Sequence, residues 1–217
     1  MIKLGITGNI ACGKSSIGQY LNEIGFDFID SDEVVHSILS VKSEATERLI
    51  VLCKPYEIRS AAFLKGEENN SNRNESVSFI DRRKLGALLF RNNELKKKIE
   101  SIIHPLVFEK TNEFFQEQEL KGAKLAANLI PLLFESKSQN RFDCIWLIYC
   151  TPSEQKARLE LRNSQLSEAE IDLRIKSQMS QEEKKKLVDF VIDNSDSLER
   201  TFEQVDSILK TNLKVIS

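Results

Sequence analysis

Near the start of the chain, Gly8-Asn-Ile-Ala-Cys-Gly13-Lys14-Ser15 has the spacing G-x-x-x-x-G-K-[ST]. Glycines at those two places let a backbone curl until successive N–H groups point into one concavity. A helix opening at Lys14 adds the partial positive charge of its N-terminus. In such a cradle Lys14 reaches the β- and γ-phosphates of a nucleotide, and Ser15 offers its hydroxyl to Mg²⁺. The chemistry is nucleoside triphosphate binding. No Asn-Lys-x-Asp stretch of the kind that reads a guanine base occurs, so a GTPase switch is not expected.

Three other groups could act on a bound triphosphate. Asp30 and Asp32, in Ile29-Asp-Ser-Asp32, follow a short apolar run and fall at the carboxyl edge of a sheet, where ligands of open α/β folds bind. Either could cap the next helix; the reading favours the cap for Asp30. Asp32 is read as functional, orienting or accepting the proton of an acceptor hydroxyl and helping to hold metal-bound water. Arg158 and Arg162 are four apart on one helical face. They either close over the triphosphate or form surface ion pairs with Glu154 and Glu160. His104 precedes Pro105 and reads as a helix-end or core histidine. The runs Lys96–Lys98 and Lys184–Lys186 read as solvated faces.

The elements that must hold these groups follow from patterning. Ile2 to Thr7 is a buried parallel strand ending at glycine. Lys14 to Ile24 is a helix with Ile17, Tyr20, Leu21 and Ile24 on one face and Gly25 as its stop. Phe26 to Asp30 is a second strand, and helices cover residues 32–39 and 46–52. Residues 66–78, polar and turn-rich, read as an exposed loop. Residues 81–120 are helical, broken at Pro105. Leu125 to Leu133 and Cys144 to Cys150 fit central strands. A charged helical stretch covers 153–187, Phe190 to Asp193 is a last strand, and 197–213 is a closing helix. The expected fold is α/β: a doubly wound, mostly parallel sheet of the P-loop NTPase type, in one domain over residues 1–217. A helical segment at about 80–120 and another at about 153–188 project from it.

Composition bounds the partners. The chain has 217 residues, a net charge of −2, 41% hydrophobic and 29% charged residues, and a pI near 5.9. That balance supports a globular core and supplies no general positive field for nucleic acid or an anionic membrane. Four cysteines without metal spacing read as reduced thiols. With no apolar run of bilayer length and no secretory leader visible, a cytoplasmic protein is expected. It would act as a monomer or weak homo-oligomer.

Together these residues resemble the dephospho-coenzyme A kinase family. The matching stretches are Gly5 to Ser16, Phe28 to Asp32, Ile80 to Phe90, Ile103-His-Pro-Leu106, Pro131-Leu-Leu-Phe-Glu135, Gln155 to Arg162, Arg174 to Gln178 and Asp189 to Asn194. They span nearly the whole chain apart from about residues 41–78. The resemblance implies ATP-dependent phosphorylation of the ribose 3′-hydroxyl of dephospho-coenzyme A, giving coenzyme A and ADP. It places Gly8 and Ala11, Cys12, Gly13, Lys14, Ser15 and Ser16 on the triphosphate, and Asp32 on the acceptor hydroxyl. It also places Arg158 and Arg162 in a lid, Asn194 beside the adenine, and His104 with the 80–120 helices on the acceptor side. Another small-molecule kinase, or an ATP-binding regulator without transfer activity, is the alternative.

Three departures stand out. Cys12 replaces the family's usual small serine or glycine, and a thiol at a helix N-terminus is expected to be reactive. Asn128-Leu-Ile precedes Pro131 where many members carry an acidic residue, which shifts weight to Ser15 and Asp32. The glycine usual before Ile80-Asp-Arg is missing, and a polar insertion precedes that motif.

Overall fold

A computed structural model describes residues 1–60 and 79–213. The loop expected at 66–78 lies outside the described residues. Two compact units emerge: Met1–Asp30 with Phe114–Ser217, and Ser31–Glu113.

The first unit is built on five parallel strands: β1 Ile2–Thr7, β2 Phe28–Asp30, β3 Leu125–Leu129, β4 Cys144–Tyr149 and β5 Phe190–Asp193, in the order β2-β3-β1-β4-β5. β1 is central, with Ile2 opposite Leu125 and Leu4 opposite Cys144. Strands buried on both faces need continuous apolar runs, and β3 and the middle of β4 are buried without interruption. Helix α1 (Lys14–Glu23) and the C-terminal helix (Leu198–Leu213) pack on the sheet. Ile17 and Leu21 from the first, and Val205 and Leu209 from the second, join Leu4, Ile6, Leu129, Trp146, Ile148 and Ile192 in one core.

β3 stops at Leu129, short of the expected Leu133, and residues 131–137 turn. Pro131 has no N–H for the ladder. Leu133 and Phe134 instead turn inward against Ile145.

The second unit holds α2 (Ser31–Ser40), α3 (Glu44–Leu52), α4 (Arg82–Arg91) and most of α5 (Asn93–Leu120). The expected break at Pro105 is absent: α5 runs through it, and the interruption falls at Asn92 instead. Pro105 removes one helical hydrogen bond. Leu95, Ile99, Ile103 and Val107 nevertheless form one buried stripe at four-residue spacing across the proline, and keeping that stripe together requires the helix to continue.

Beyond β4 the chain forms α6 (Pro152–Arg162), α7 (Glu168–Lys176) and α8 (Gln181–Lys185) before β5; the C-terminal helix is α9. Among the described residues no helix is long and apolar enough to cross a membrane.

Candidate active site

The strands deliver their carboxyl ends to one edge, and the loop after β1 occupies its centre. At Gly8 a Cβ would lie 2.5 Å from the Ile148 carbonyl oxygen of neighbouring β4, so no side chain fits. Gly13, with φ of 92°, sits at the N-cap of α1, which has no capping side chain and no acidic residue in its first turn. By contrast α3, α6, α7 and α8 are closed by Ser43, Thr151, Ser167 and Ser180, with glutamates following. The positive end of α1 is thus left for an outside anion. Lys14 Nζ donates to the carbonyls of Gly8 (2.7 Å) and Asn9 (3.2 Å), spanning the loop. Ser15 is exposed and Ser16 half-buried; Ala11 is buried with φ of 64°.

The end of β5 grips this loop. Asn194, 2% exposed, donates through Nδ2 to the Cys12 carbonyl (2.9 Å) and accepts at Oδ1 from the Thr201 hydroxyl (3.0 Å). Arg158 donates from Nη2 to the Asn194 carbonyl (2.8 Å) and from Nε to Glu154 (2.9 Å). The ion pair and the approach to the loop are therefore not alternatives at Arg158. Its Nη1 lies 3.8 Å from where a Cβ on Gly13 would be. Arg162, in the last turn of α6, is exposed, and its side chain makes no hydrogen bond or ion pair with the described residues. Nor does Glu160 take the ion pair weighed for it.

Cys12, expected to be reactive as a thiol at a helix N-terminus, is shielded from solvent. It is fully buried, its sulfur 3.2 Å from that of Cys150 and 3.3 Å from Gln181 Oε1. The hydrogen bond from the Cys150 thiol holds Cys12 below its ordinary range against the effect of burial, and the Lys14 charge acts the same way. Cys150, donating its proton to Cys12 in a buried place, is pushed up.

Asp32 lies exposed in the first turn of α2, two residues past the end of β2, and Asp30 immediately precedes that helix. His104 is neither a helix end nor a core residue. It is half-buried in the middle of α5, its ring 6.0 Å from that of Phe108. Among the described residues no group of three or more His, Cys, Asp or Glu could by itself hold a metal ion.

Comparison with known proteins decides the family. The sequence model of dephospho-CoA kinase matches residues 2–200. The chain belongs to the dephospho-CoA kinase family. It is 37% identical to a dephospho-CoA kinase of Carboxydothermus hydrogenoformans, over 95% of this chain and 92% of that one. It is 35% identical to one of Bdellovibrio bacteriovorus, over 95% and 94%. Among solved structures, a dephospho-CoA kinase of Campylobacter jejuni superposes with a TM-score of 0.64 at 29% identity, covering 97% of this chain and 98% of that one. A Thermus thermophilus protein superposes with a TM-score of 0.77 at 28% identity, covering 97% of each.

Several residues that shape the site carried no recognised signal in the sequence. Lys184, read as part of a solvated run, is fully buried: its Nζ meets the Pro131 carbonyl and Glu135 Oε1, both at 3.1 Å. The three-residue spacing that turns Gln181 inward on α8 turns Lys184 inward as well. Lys186 stays exposed, as do Lys97 and Lys98. Gln155, Gln178 and Gln181 all contact the loop or the strand end beneath it. The usable signal at Gln155 was an amide four residues before Leu159, on the buried face of an otherwise amphipathic helix.

Proposed function

We propose that the chain's own residues carry out the reaction of its family by transferring the γ-phosphoryl group of ATP to the ribose 3′-hydroxyl of dephospho-CoA, with CoA and ADP as products. The observation that carries the reading is the uncapped, acid-free N-terminus of α1 behind a glycine loop, spanned by Lys14 and flanked by Arg158. Phosphoryl transfer needs little covalent chemistry from a protein beyond positioning and charge stabilisation. In this reading the N–H groups from Ala11 to Ser16 and the Lys14 ammonium take the triphosphate. Arg158, already oriented by Glu154 and Asn194, faces charge that develops in transfer, and Arg162 adds a second guanidinium as the α6–α8 segment closes. Asp32 orients the acceptor hydroxyl and receives its proton. Asn194 shapes the adenine end of the loop through its bond to Cys12, and His104 belongs to the acceptor side.

The residues present fit Mg²⁺. Ser15 offers an exposed hard oxygen in the first turn of α1, and Mg²⁺ characteristically takes few protein ligands, filling its shell with phosphate oxygens and water. When bound, the ion neutralises phosphate charge. The reading calls for no nucleic-acid or membrane partner and is that of a cytoplasmic monomer or weak homo-oligomer.

The test is ADP release from Mg·ATP with dephospho-CoA, with mass analysis of the acceptor. One added phosphate on the 3′-hydroxyl, lost by at least about 100-fold in Lys14→Ala, is expected. Phosphorylation of a different acceptor only, or ATP binding without any transfer, would overturn the assignment.

A further inference from the structure

The phosphate loop is also held from outside, by side chains that the transfer reading leaves without a role. Ile10 donates its backbone N–H to Gln178 Oε1 (2.8 Å), and its carbonyl accepts from Gln155 Nε2 (2.9 Å). Asn9 Nδ2 donates to the Met179 carbonyl (3.0 Å). Behind them, Gln181 Nε2 donates to Gln155 Oε1 (3.3 Å) and to the Cys150 carbonyl (2.9 Å), while its Oε1 accepts from the Cys150 N–H (3.1 Å) and the Cys12 thiol. Gln155 and Gln181 are 2% and 8% exposed.

Backbone partners fix which way each amide points. An N–H can meet only an oxygen and a carbonyl only a donor. Gln178 must therefore present oxygen to Ile10, and Gln155 must present nitrogen.

Ile10 has no polar side chain, and these two glutamines supply the short hydrogen bonds to its backbone; the Cys12 thiol adds a longer contact to the same carbonyl (3.9 Å). They also bracket the segment carrying the arginines: Gln155 stands in the first turn of α6, and Gln178 in the connection after α7. We propose that Gln155 and Gln178 are positioning residues for phosphoryl transfer, fixing the arch of the phosphate loop at Ile10 and setting the α6–α7 segment, with Arg158, in register upon it. This deepens the transfer reading and rests on it.

The test exploits the opposite hydrogen-bond senses. Gln178→Glu keeps an oxygen for the Ile10 N–H, whereas Gln155→Glu sets an oxygen against the Ile10 carbonyl. Both add one negative charge beside the same residue, at a half-buried place for Gln178 and a buried one for Gln155, so Gln155→Leu, which loses the donor without adding charge, is measured beside them to separate the sense of the bond from the cost of the charge. Gln178→Leu, which removes the acceptor, should lower kcat/KM for ATP by about 10- to 100-fold, the range for a hydrogen bond unmade in a partly buried place. KM for dephospho-CoA should stay within about twofold. Gln178→Glu should recover most of that loss, and Gln155→Glu should be at least as impaired as Gln178→Leu. ADP affinity, read by calorimetry on the same variants, should follow the same order. Equal behaviour of Gln155→Glu and Gln178→Glu would overturn the proposal, as would a loss accounted for wholly by the unfolded fraction at the assay temperature. If the parent protein binds ADP but phosphorylates no dephospho-CoA, the transfer reading fails. The ADP affinities then still decide whether these residues position the loop.

Discussion

Replacing Gly13 by alanine tests how tightly the end of β5 closes on the phosphate loop. The new methyl carbon would lie 2.1 Å from Asn194 Nδ2, far inside contact, on a backbone at φ of 92°. The left-handed conformation alone costs a residue with a Cβ about 1–2 kcal/mol. To clear the methyl group, Asn194 must swing away from the Cys12 carbonyl and the Thr201 hydroxyl. A buried polar group left unmatched costs about 1–3 kcal/mol. The sum is about 2–5 kcal/mol, which for a chain of this size lowers Tm by roughly 5–20 °C. Asn194→Ala removes both the hydrogen bonds and the obstacle. In that background Gly13→Ala should cost only the backbone strain, so the double variant should lose about 1–3 kcal/mol less than the two singles added. Urea unfolding of the four proteins without nucleotide measures the difference. Additivity within about 0.5 kcal/mol would show that Asn194 does not fill the space beside Gly13, and the account of the loop would fall with it.

Lys184→Ala should destabilise by about 3 kcal/mol or more in chemical denaturation, because it strips a buried ion from Glu135 and the Pro131 carbonyl. Lys184→Met, which keeps the stem packed but also removes the ion, should lose most of the same stability, and a Met variant as stable as the parent would argue against a contribution from the ion pair. Burial pushes the Cys144 thiol up to about 11 from an ordinary 9.0, so above pH 9 the unfolded chain releases that proton first. Stability should then fall as pH rises from about 9 to 11, and fall less in Cys144→Val; identical thermal melts across that window would refute the shift. Because Cys12 is fully buried, thiol reagents should label it only as the loop opens, more slowly still with ATP bound. Unchanged inactivation of Cys12→Ser would place the reactive thiol elsewhere.

The phosphate loop was legible in the sequence because its information is local: two glycines, a lysine and a hydroxyl within one strand–helix turn. Strand ends were legible for a similar reason, since apolar runs stop where burial stops, although Pro131 ended β3 four residues early by withholding a donor. Contacts between distant segments were not legible. Cys12 and Cys150 are 138 residues apart, and nothing in either neighbourhood marks the other. Whether a glutamine faces water or a carbonyl depends on what packs over it, so Gln178 looked like any polar loop residue. Lys184 looked like its neighbours in a charged run until the short α8 turned it inward. At Pro105 the local rule, that proline breaks a helix, lost to the four-residue apolar stripe passing through it.

The pairing of β1 has a consequence for how the chain acquires its structure. Its register joins Ile2 to Leu125 and Leu4 to Cys144, so this apolar strand, once made, has no neighbours until more than a hundred further residues exist. At the usual 5–20 residues per second of translation, that interval is at least about 6–25 s. Throughout it Ile2–Thr7 is a short unpaired edge of the sort that associates wrongly, and such long-range pairings are slow to form even once the partners are present. The segment from Ser31 to Glu113, made in between, has its own helices to form and need not wait. The strand that ends at the glycine loop thus leaves the ribosome before either of its neighbours and can reach its place only after both have followed.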